Sequence, residues 1–427
     1  MACTRGFCQC PTGADFGGTP MKEHVKFQRR MAIEIFPVTI LLALQYGALV
    51  AIPTVLYRTA PEALILEICG LGVGVAFVIE ALLGPIPGRL STATPSGFVT
   101  WNAAKWIMIV GWIASWIGVL LGQGTYASQI GTTSQSHLTA IFTPFYFWPL
   151  IGVAMSLWLR RESSISDRRA WIVIGINVVL ELALSVDKAI VAPLFSFLLA
   201  IAFLAVITRM IRLRLIVVGL IVVTFAWPVL YNFRNERRIS LGENVVAAQL
   251  QNAGQRLRLD LEMAQMEDVL GYTTNIGQPT FRTLIETGLI PRFLDPSRAS
   301  VNTGSGFSVA TGGASTSSDT ATTFGLAYIE QRWAGVIAFS VSVAIFTAIA
   351  VRRRGAWALA MIGLVVQQAI WIEAAYPDFV AAMLQAIISL LVAVVFSVFF
   401  HRQLGKIDGQ AESLDPLSWS VKRSGRT

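Results

Sequence analysis

The residues best suited to chemistry in this chain are arginines. Between positions 232 and 323 stand Arg234, Arg237, Arg238, Arg256, Arg258, Arg282, Arg292 and Arg298, and no lysine. A guanidinium is a planar fork of five donors that grips phosphate oxygens in pairs, whereas an ammonium is a point charge. A segment that needed only solubility would draw on both. The pattern points to an anionic ligand and, beside apolar runs, to a lipid pyrophosphate. Arg234, Arg237 and Arg238 directly follow an apolar run that ends in Trp227, Pro228 and Tyr231. That is headgroup level, where ordinary interfacial anchoring explains such a trio equally well. Arg292 and Arg298 flank Leu294-Asp295-Pro296. That turn either presents converging forks or pairs an arginine with Asp295.

The same segment holds Glu236, Glu243, Asp260, Glu262, Glu267, Asp268, Glu286, Asp295 and Asp319. It is therefore no general basic patch. A few arginines must converge while others pair locally, Arg256 and Arg258 with Asp260 and Glu262 as surface pairs. Carboxylates inside apolar runs also count, because an ionisable group there faces a cavity or a partner. Glu67, Glu181, Glu330 and Glu373 qualify. Glu330, close to Tyr328, is either a general base for a sugar hydroxyl or half of an ion pair with Arg332.

Other chemistries lack their motifs. There is no Walker loop, no HExxH, no CxxC pair and no DxD, and the only histidines are His24, His137 and His401. The reading calls for no metal, no cofactor, no nucleotide sugar and no nucleic acid. Cys3, Cys8 and Cys10 lie in a polar leader, as a zinc site or a plain tail; Cys69 reads as a packed thiol.

The positioning elements are membrane helices. The composition is 54% hydrophobic and 14% charged, against roughly 25% charged in soluble domains. A span needs about 20 apolar residues. Ten runs qualify, near 35–56, 62–83, 103–121, 138–159, 170–186, 189–207, 214–231, 327–350, 356–374 and 379–400; the fifth is short and carries Glu181. The expected fold is an all-α polytopic membrane protein of about ten transmembrane helices with one large, partly helical extracytoplasmic loop. Its divisions are a cytoplasmic leader at 1–30, helices 1–7 at 31–231, the loop at 232–326, helices 8–10 at 327–400 and a cytoplasmic tail at 401–427. Basic residues alternate consistently between connections, which puts both termini in the cytoplasm and the loop outside.

Within the loop, Val246, Leu250, Ala253, Leu257 and Leu261 predict an amphipathic helix over 244–270. A short helix is predicted over 280–287, carrying Arg282. Residues 300–323 are rich in Ser, Thr and Gly. Such a composition is expected to bury no core, as a linker or as a mobile lid. No internal repeat is visible.

Three stretches together resemble a family. Trp227-Pro228-Val229-Leu230-Tyr231-Asn232-Phe233-Arg234 ends a span. Gly288-Leu289-Ile290-Pro291-Arg292-Phe293-Leu294-Asp295-Pro296-Ser297-Arg298 follows. Thr323-Phe324-Gly325-Leu326-Ala327-Tyr328 and Trp333-Ala334-Gly335-Val336 close the loop. Over about 227–340 this order resembles bacterial O-antigen polymerases of the Wzy type, the oligosaccharide repeat unit polymerases. Leu326 stands where the family often has Glu, and Arg298 where it often has Lys. Related O-antigen ligases usually depend on a loop histidine, absent here, which favours polymerase over ligase.

The resemblance implies a GT-C-like architecture in the bacterial inner membrane. It implies undecaprenyl-pyrophosphate-linked glycan as donor and acceptor, with a flippase and a chain-length regulator as further partners. A hydroxyl of one lipid-linked unit attacks the anomeric carbon of another and displaces undecaprenyl pyrophosphate. Arg234, Arg238, Arg282, Arg292, Arg298 and Tyr328 then bind substrate, and Glu330 is the catalytic candidate. A polysaccharide or lipid transporter, or a non-catalytic assembly partner, is the alternative; a transporter should show polar or broken helices at mid-membrane and often repeats.

Overall fold

The computed structural model describes residues 36–83, 99–126, 136, 138–240, 254, 257–269, 290, 303–312, 321–352, 355–373 and 379–413. All regular structure among them is helical, as expected where backbone polar groups must be satisfied without water. The helices are α1 (Pro37–Tyr57, with a π-turn at Gly47–Ala51), α2 (Glu62–Leu83), α3 (Trp101–Leu120), α4 (Trp148–Arg161) and α5 (Asp167–Lys188). There follow α6 (Ala192–Ile207), α7 (Leu213–Ser240), α8 (Leu259–Ala264), α9 (Met266–Val269) and α10 (Thr303–Ala310). The last are α11 (Thr322–Arg352), α12 (Ala356–Ile370, closing in a π-turn) and α13 (Phe379–Ser413).

Nine of the ten expected runs lie, over their described residues, along a single helical stretch. Six helical stretches are long and apolar enough to cross a membrane: α1, α2, α3, α5, Thr322–Ala348 of α11 and Ala381–His401 of α13. The molecule is an α-helical membrane protein. The run with Glu181 is fuller than expected, since α5 reaches Lys188. The run near 138–159 is instead broken. Pro144 sits in the 3-10 turn Thr143–Phe145, and Pro149 lies in the first turn of α4.

Close packing sets the helix directions. Gly111 of α3 lies against Trp148 and Pro149, and Gly152 of α4 lies against Met108 and the Ala104 carbonyl. The two helices are thus antiparallel, with glycines allowing close approach. Arg160 donates to Asp167 (2.7 Å) and to the Thr208 carbonyl (3.2 Å). The end of α4, the start of α5 and the end of α6 therefore share one basic end of the bundle. α7 starts at that end, so Arg234 and Arg238 stand at the opposite one.

α11 is not a straight span. Gln331 (φ −135°) and Arg332 (φ 55°, ψ −142°) are non-helical. Phe324 and Phe339 would lie about 22 Å apart along a straight helix; their rings are 6.0 Å apart. Gly335 packs so tightly on the Ala327 carbonyl that a Cβ would overlap it. Residues 322–330 thus form a short re-entrant helix, and the chain turns back at Arg332 into 333–352. Thr322–Ala348 therefore qualifies as a span only when counted through this bend, and the span expected over 327–350 is shortened to 333–350. The short helix is buried on all sides: Phe324, Leu326, Ala327 and Ile329 are each 2% exposed or less. Phe324 stacks on Tyr46 at 4.1 Å and covers Gly72, near the midpoints of α1 and α2.

The loop also departs from expectation. α7 continues to Ser240, past the expected span end. Of the helix expected over 244–270, residues 244–253, 255, 256 and 270, with Val246, Leu250 and Ala253, lie outside the described residues; over 257–269 the amphipathic face is Leu259, Met263, Met266 and Val269, all buried, while Leu261 is exposed. The spacing i, i+4, i+7 therefore starts two residues after Leu257. Parts of the supposed linker are core: Phe307, Ser308 and Ala321–Thr323 are buried, and 303–310 is helical. The lid reading is withdrawn for those stretches.

Candidate functional site

The end of α7 places Arg234 and Arg238 one helical turn apart, with Arg237 beside them. Arg238 is buried. Its Nε donates to the Ala189 carbonyl (3.1 Å), and its guanidinium lies 4.1 Å from the Tyr126 ring. Ala189 is the left-handed cap of α5 (φ 56°). Arg238 thus satisfies a helix-terminal carbonyl, a role that suits arginine. Arg237 meets Asp187 at 3.4 Å, with both side chains about two-fifths exposed, so the pair adds little stability. Arg234 lies 4.6 Å over the Tyr231 ring.

Tyr231 opens a row of rings. Trp227 is 5.6 Å from it, Phe195 of α6 is 5.4 Å further, and Trp371 stacks on Phe195 at 6.3 Å and 12°. The row ends where α12 breaks. There the Trp371 indole N–H and the Gln367 amide oxygen are buried without a hydrogen-bond partner among the described residues. A buried donor and acceptor left unpaired mark a place for a polar guest.

The broken end of α12 is joined to α1 and α11. Gln45 donates to the Ile370 carbonyl (2.9 Å) and accepts from the Ile372 N–H (3.1 Å). The Thr323 N–H donates to the Ile372 carbonyl (2.9 Å), and its hydroxyl to the Trp371 carbonyl (3.1 Å). The Phe324 N–H donates to the Tyr46 hydroxyl (3.0 Å). These bonds satisfy helix-terminal groups that have no intrahelical partner.

At the hairpin apex, Glu330 is half-buried and Arg332 exposed. Tyr328 is buried, edge-on to Trp333 at 5.1 Å and beneath the Arg332 guanidinium at 5.6 Å. Tyr328 is thus packed rather than open. Arg332 holds a backbone conformation that costs a non-glycine residue about 1–3 kcal/mol. Of the carboxylates, Glu67 is exposed on α2, and Glu181 is buried with Lys188 as its electrostatic partner.

Arg258 and Asp260 are not a surface pair. Asp260 is fully buried and takes both forks of Arg258 at 2.8 Å, plus the Thr59 hydroxyl at 2.5 Å. Arg258 also lies 3.8 Å over Tyr57. Asp260 holds the Arg258 guanidinium above even its ordinary pKa by hydrogen bonding. The set latches α8 to the α1–α2 connection. Sequence reasoning also missed Glu80, which caps α1 from α2: it accepts from the Val38 N–H, the Thr39 N–H and the Thr39 hydroxyl at 2.7–3.0 Å.

Arg256, Arg282, Arg292 and Arg298, the expected helix over 280–287 and the leader cysteines lie outside the described residues. Cys69 is packed in the core. Among the described residues no three His, Cys, Asp or Glu side chains gather to hold a metal. No family model, no curated protein and no solved structure matches the chain.

Proposed function

We propose that the protein joins lipid-linked oligosaccharide units by glycosyl transfer at the outer face of the bacterial inner membrane, with both termini cytoplasmic. The observation that carries this reading is the aromatic row from Arg234 to the broken end of α12. A guanidinium at one end suits a pyrophosphate. The Trp371 N–H and Gln367 oxygen at the other, which have no partner among the described residues, suit sugar hydroxyls, which both donate and accept. The full reading is a polymerase of undecaprenyl-pyrophosphate-linked repeat units, in line with the family resemblance. In it Arg292 and Arg298 join Arg234 around the leaving pyrophosphate, and Glu330 activates the acceptor hydroxyl. The leaving group is already activated, so binding and charge stabilisation suffice.

One observation favours a second reading. The π-turn of α1, the broken end of α12 and the re-entrant start of α11 meet midway along α1 and α2. Broken helices at that depth suit a conduit for a lipid or glycan. Purified protein in detergent, given undecaprenyl-pyrophosphate-linked repeat units, separates the two. A product ladder is expected, reduced on the order of 10²–10³ in Arg234→Lys. No ladder in detergent, with passage of the same lipid across sealed vesicles, overturns transfer in favour of transport.

A further inference from the structure

A groove of about 480 Å³ runs between α3 and α5, within the size range of small-ligand sites. Its mouth carries Lys105 and Arg169, one from the first turns of each helix, at the basic end of the bundle. Its walls are apolar: Ile109, Ile113, Ile172 and Ile176 line it and are exposed on the surface of the bundle. Among the described residues neither Lys105 nor Arg169 makes an ion pair. Asp167, the nearest acid in sequence, is taken by Arg160. Lys105 lies 5.8 Å from the ring of Trp101, which also lines the groove, and among the described residues no acid neutralises the positive charge at the mouth. Both helices also begin there, and their N-terminal dipoles add to it.

The interior of the groove offers nothing to a polar guest. The Trp112 indole N–H donates to the Asn177 oxygen (2.7 Å), and the Asn177 amide donates to the Val173 carbonyl (2.8 Å) and the Met108 sulfur (3.4 Å). The depth is also informative. From Lys105 to Ile113 is about 12 Å of helix, and from Arg169 to Leu180 about 16 Å. That is close to half of a hydrocarbon core of about 30 Å, the reach of one leaflet. A cationic mouth over an apolar slot one leaflet deep fits one kind of molecule.

We infer that this groove is a binding site for an anionic phospholipid of the leaflet at the basic end, with its phosphate between Lys105 and Arg169 and one acyl chain between α3 and α5. Basic pockets between transmembrane helices take such headgroups. The site lies on a different part of the molecule from the aromatic row and stands whichever function holds.

The test uses full-length protein in phosphatidylcholine nanodiscs containing a minor fraction of phosphatidylglycerol. Lipid retained on release into detergent is counted by native mass spectrometry. Wild type is expected to retain phosphatidylglycerol in preference to phosphatidylcholine. Lys105→Gln with Arg169→Gln lowers that preference about tenfold. Ile176→Trp, which fills the slot and keeps the charges, lowers total lipid retained there. Arg212→Gln with Arg214→Gln, at the same end but off the groove, leaves both unchanged. Thermal unfolding confirms that each variant is folded; if the double glutamine variant is not, Ile176→Trp carries the test. Undiminished preference in the groove variants overturns the site, as does equal loss in the control pair. Conversion of a dimer to a monomer by Ile176→Trp overturns it too, because the occupant is then a second copy of the chain.

Discussion

Two polar assemblies hold this apolar bundle together, and they are built on opposite principles. The latch of Arg258, Asp260 and Thr59 is charged, joins one loop helix to the α1–α2 connection, and concentrates its bonds on a single carboxylate. The joint of Gln45, Tyr46, Thr323 and the broken end of α12 is neutral and spreads its bonds over α1, α11 and α12. A charged hub fails at one point. A neutral net fails one bond at a time. The difference also recasts the arginines of the loop: lacking lysine, the segment looks built for an anionic guest, yet Arg258 and Arg238 serve the fold.

The largest effect is expected at the latch, and it is asymmetric. Asp260 is fully buried, whereas the Arg258 side chain is 23% exposed. Arg258→Ala leaves a buried carboxylate with only Thr59 and should cost about 3–5 kcal/mol. Asp260→Ala leaves a guanidinium that can turn to solvent, and should cost clearly less. Replacing both by apolar residues should recover much of the loss. Thermal unfolding in detergent checks this. Equal costs for the two single variants would show that the latch does not behave as a buried charge.

The sequence makes the apolar runs legible because about twenty apolar residues in line have few other solutions. It hides what those helices do at their ends. The hairpin of α11 is invisible because only Glu330, Gln331 and Arg332 interrupt a continuous apolar pattern, and hydropathy cannot tell a reversal from a straight path. Glu80 is equally hidden, since its partner Val38 lies 42 positions away, and so is the burial of the Arg258–Asp260 pair, which depends on Thr59, 201 positions from Asp260. Phe307 shows the converse: in a Ser/Gly-rich stretch composition argues against a core, and one aromatic ring is enough to make one. Of the candidate site, the aromatic end of α7 was legible from Trp227, Tyr231 and Arg234. Its continuation through Phe195 and Trp371 was not, because three helices contribute to it.

Within the joint, Gln45 should matter next. Gln45→Leu keeps the volume class but breaks the bonds to the Ile370 carbonyl and the Ile372 N–H, each worth about 0.6 kcal/mol and at most about 1.7 between membrane helices. Thr323 offers no relief there, since its hydroxyl already serves the Trp371 and Ile372 carbonyls. The loss should lie below that of Arg258→Ala, and hydrogen exchange should rise at Ile372 while the latch stays protected. Faster exchange around both would mean that they form one cooperative unit and would dissolve the contrast.

The smallest effect is expected for Tyr46→Phe, which removes one hydroxyl from the net and keeps the ring. The hydroxyl accepts from the Phe324 N–H, and the ring stacks on Phe324 at 4.1 Å. The substitution removes the acceptor and leaves the ring. Interhelical hydrogen bonds in membrane proteins average about 0.6 kcal/mol, with a maximum near 1.7. The ring contact, worth about 0.5–1.5 kcal/mol beyond its buried area, survives. Tyr46→Phe should therefore cost under about 2 kcal/mol, and Tyr46→Ala several times more, since it also opens a cavity beside Phe324. If Tyr46→Phe proves as costly as Gln45→Leu, the net shares its load no better than the latch does. The Phe324 N–H would then be the point at which the re-entrant helix is held.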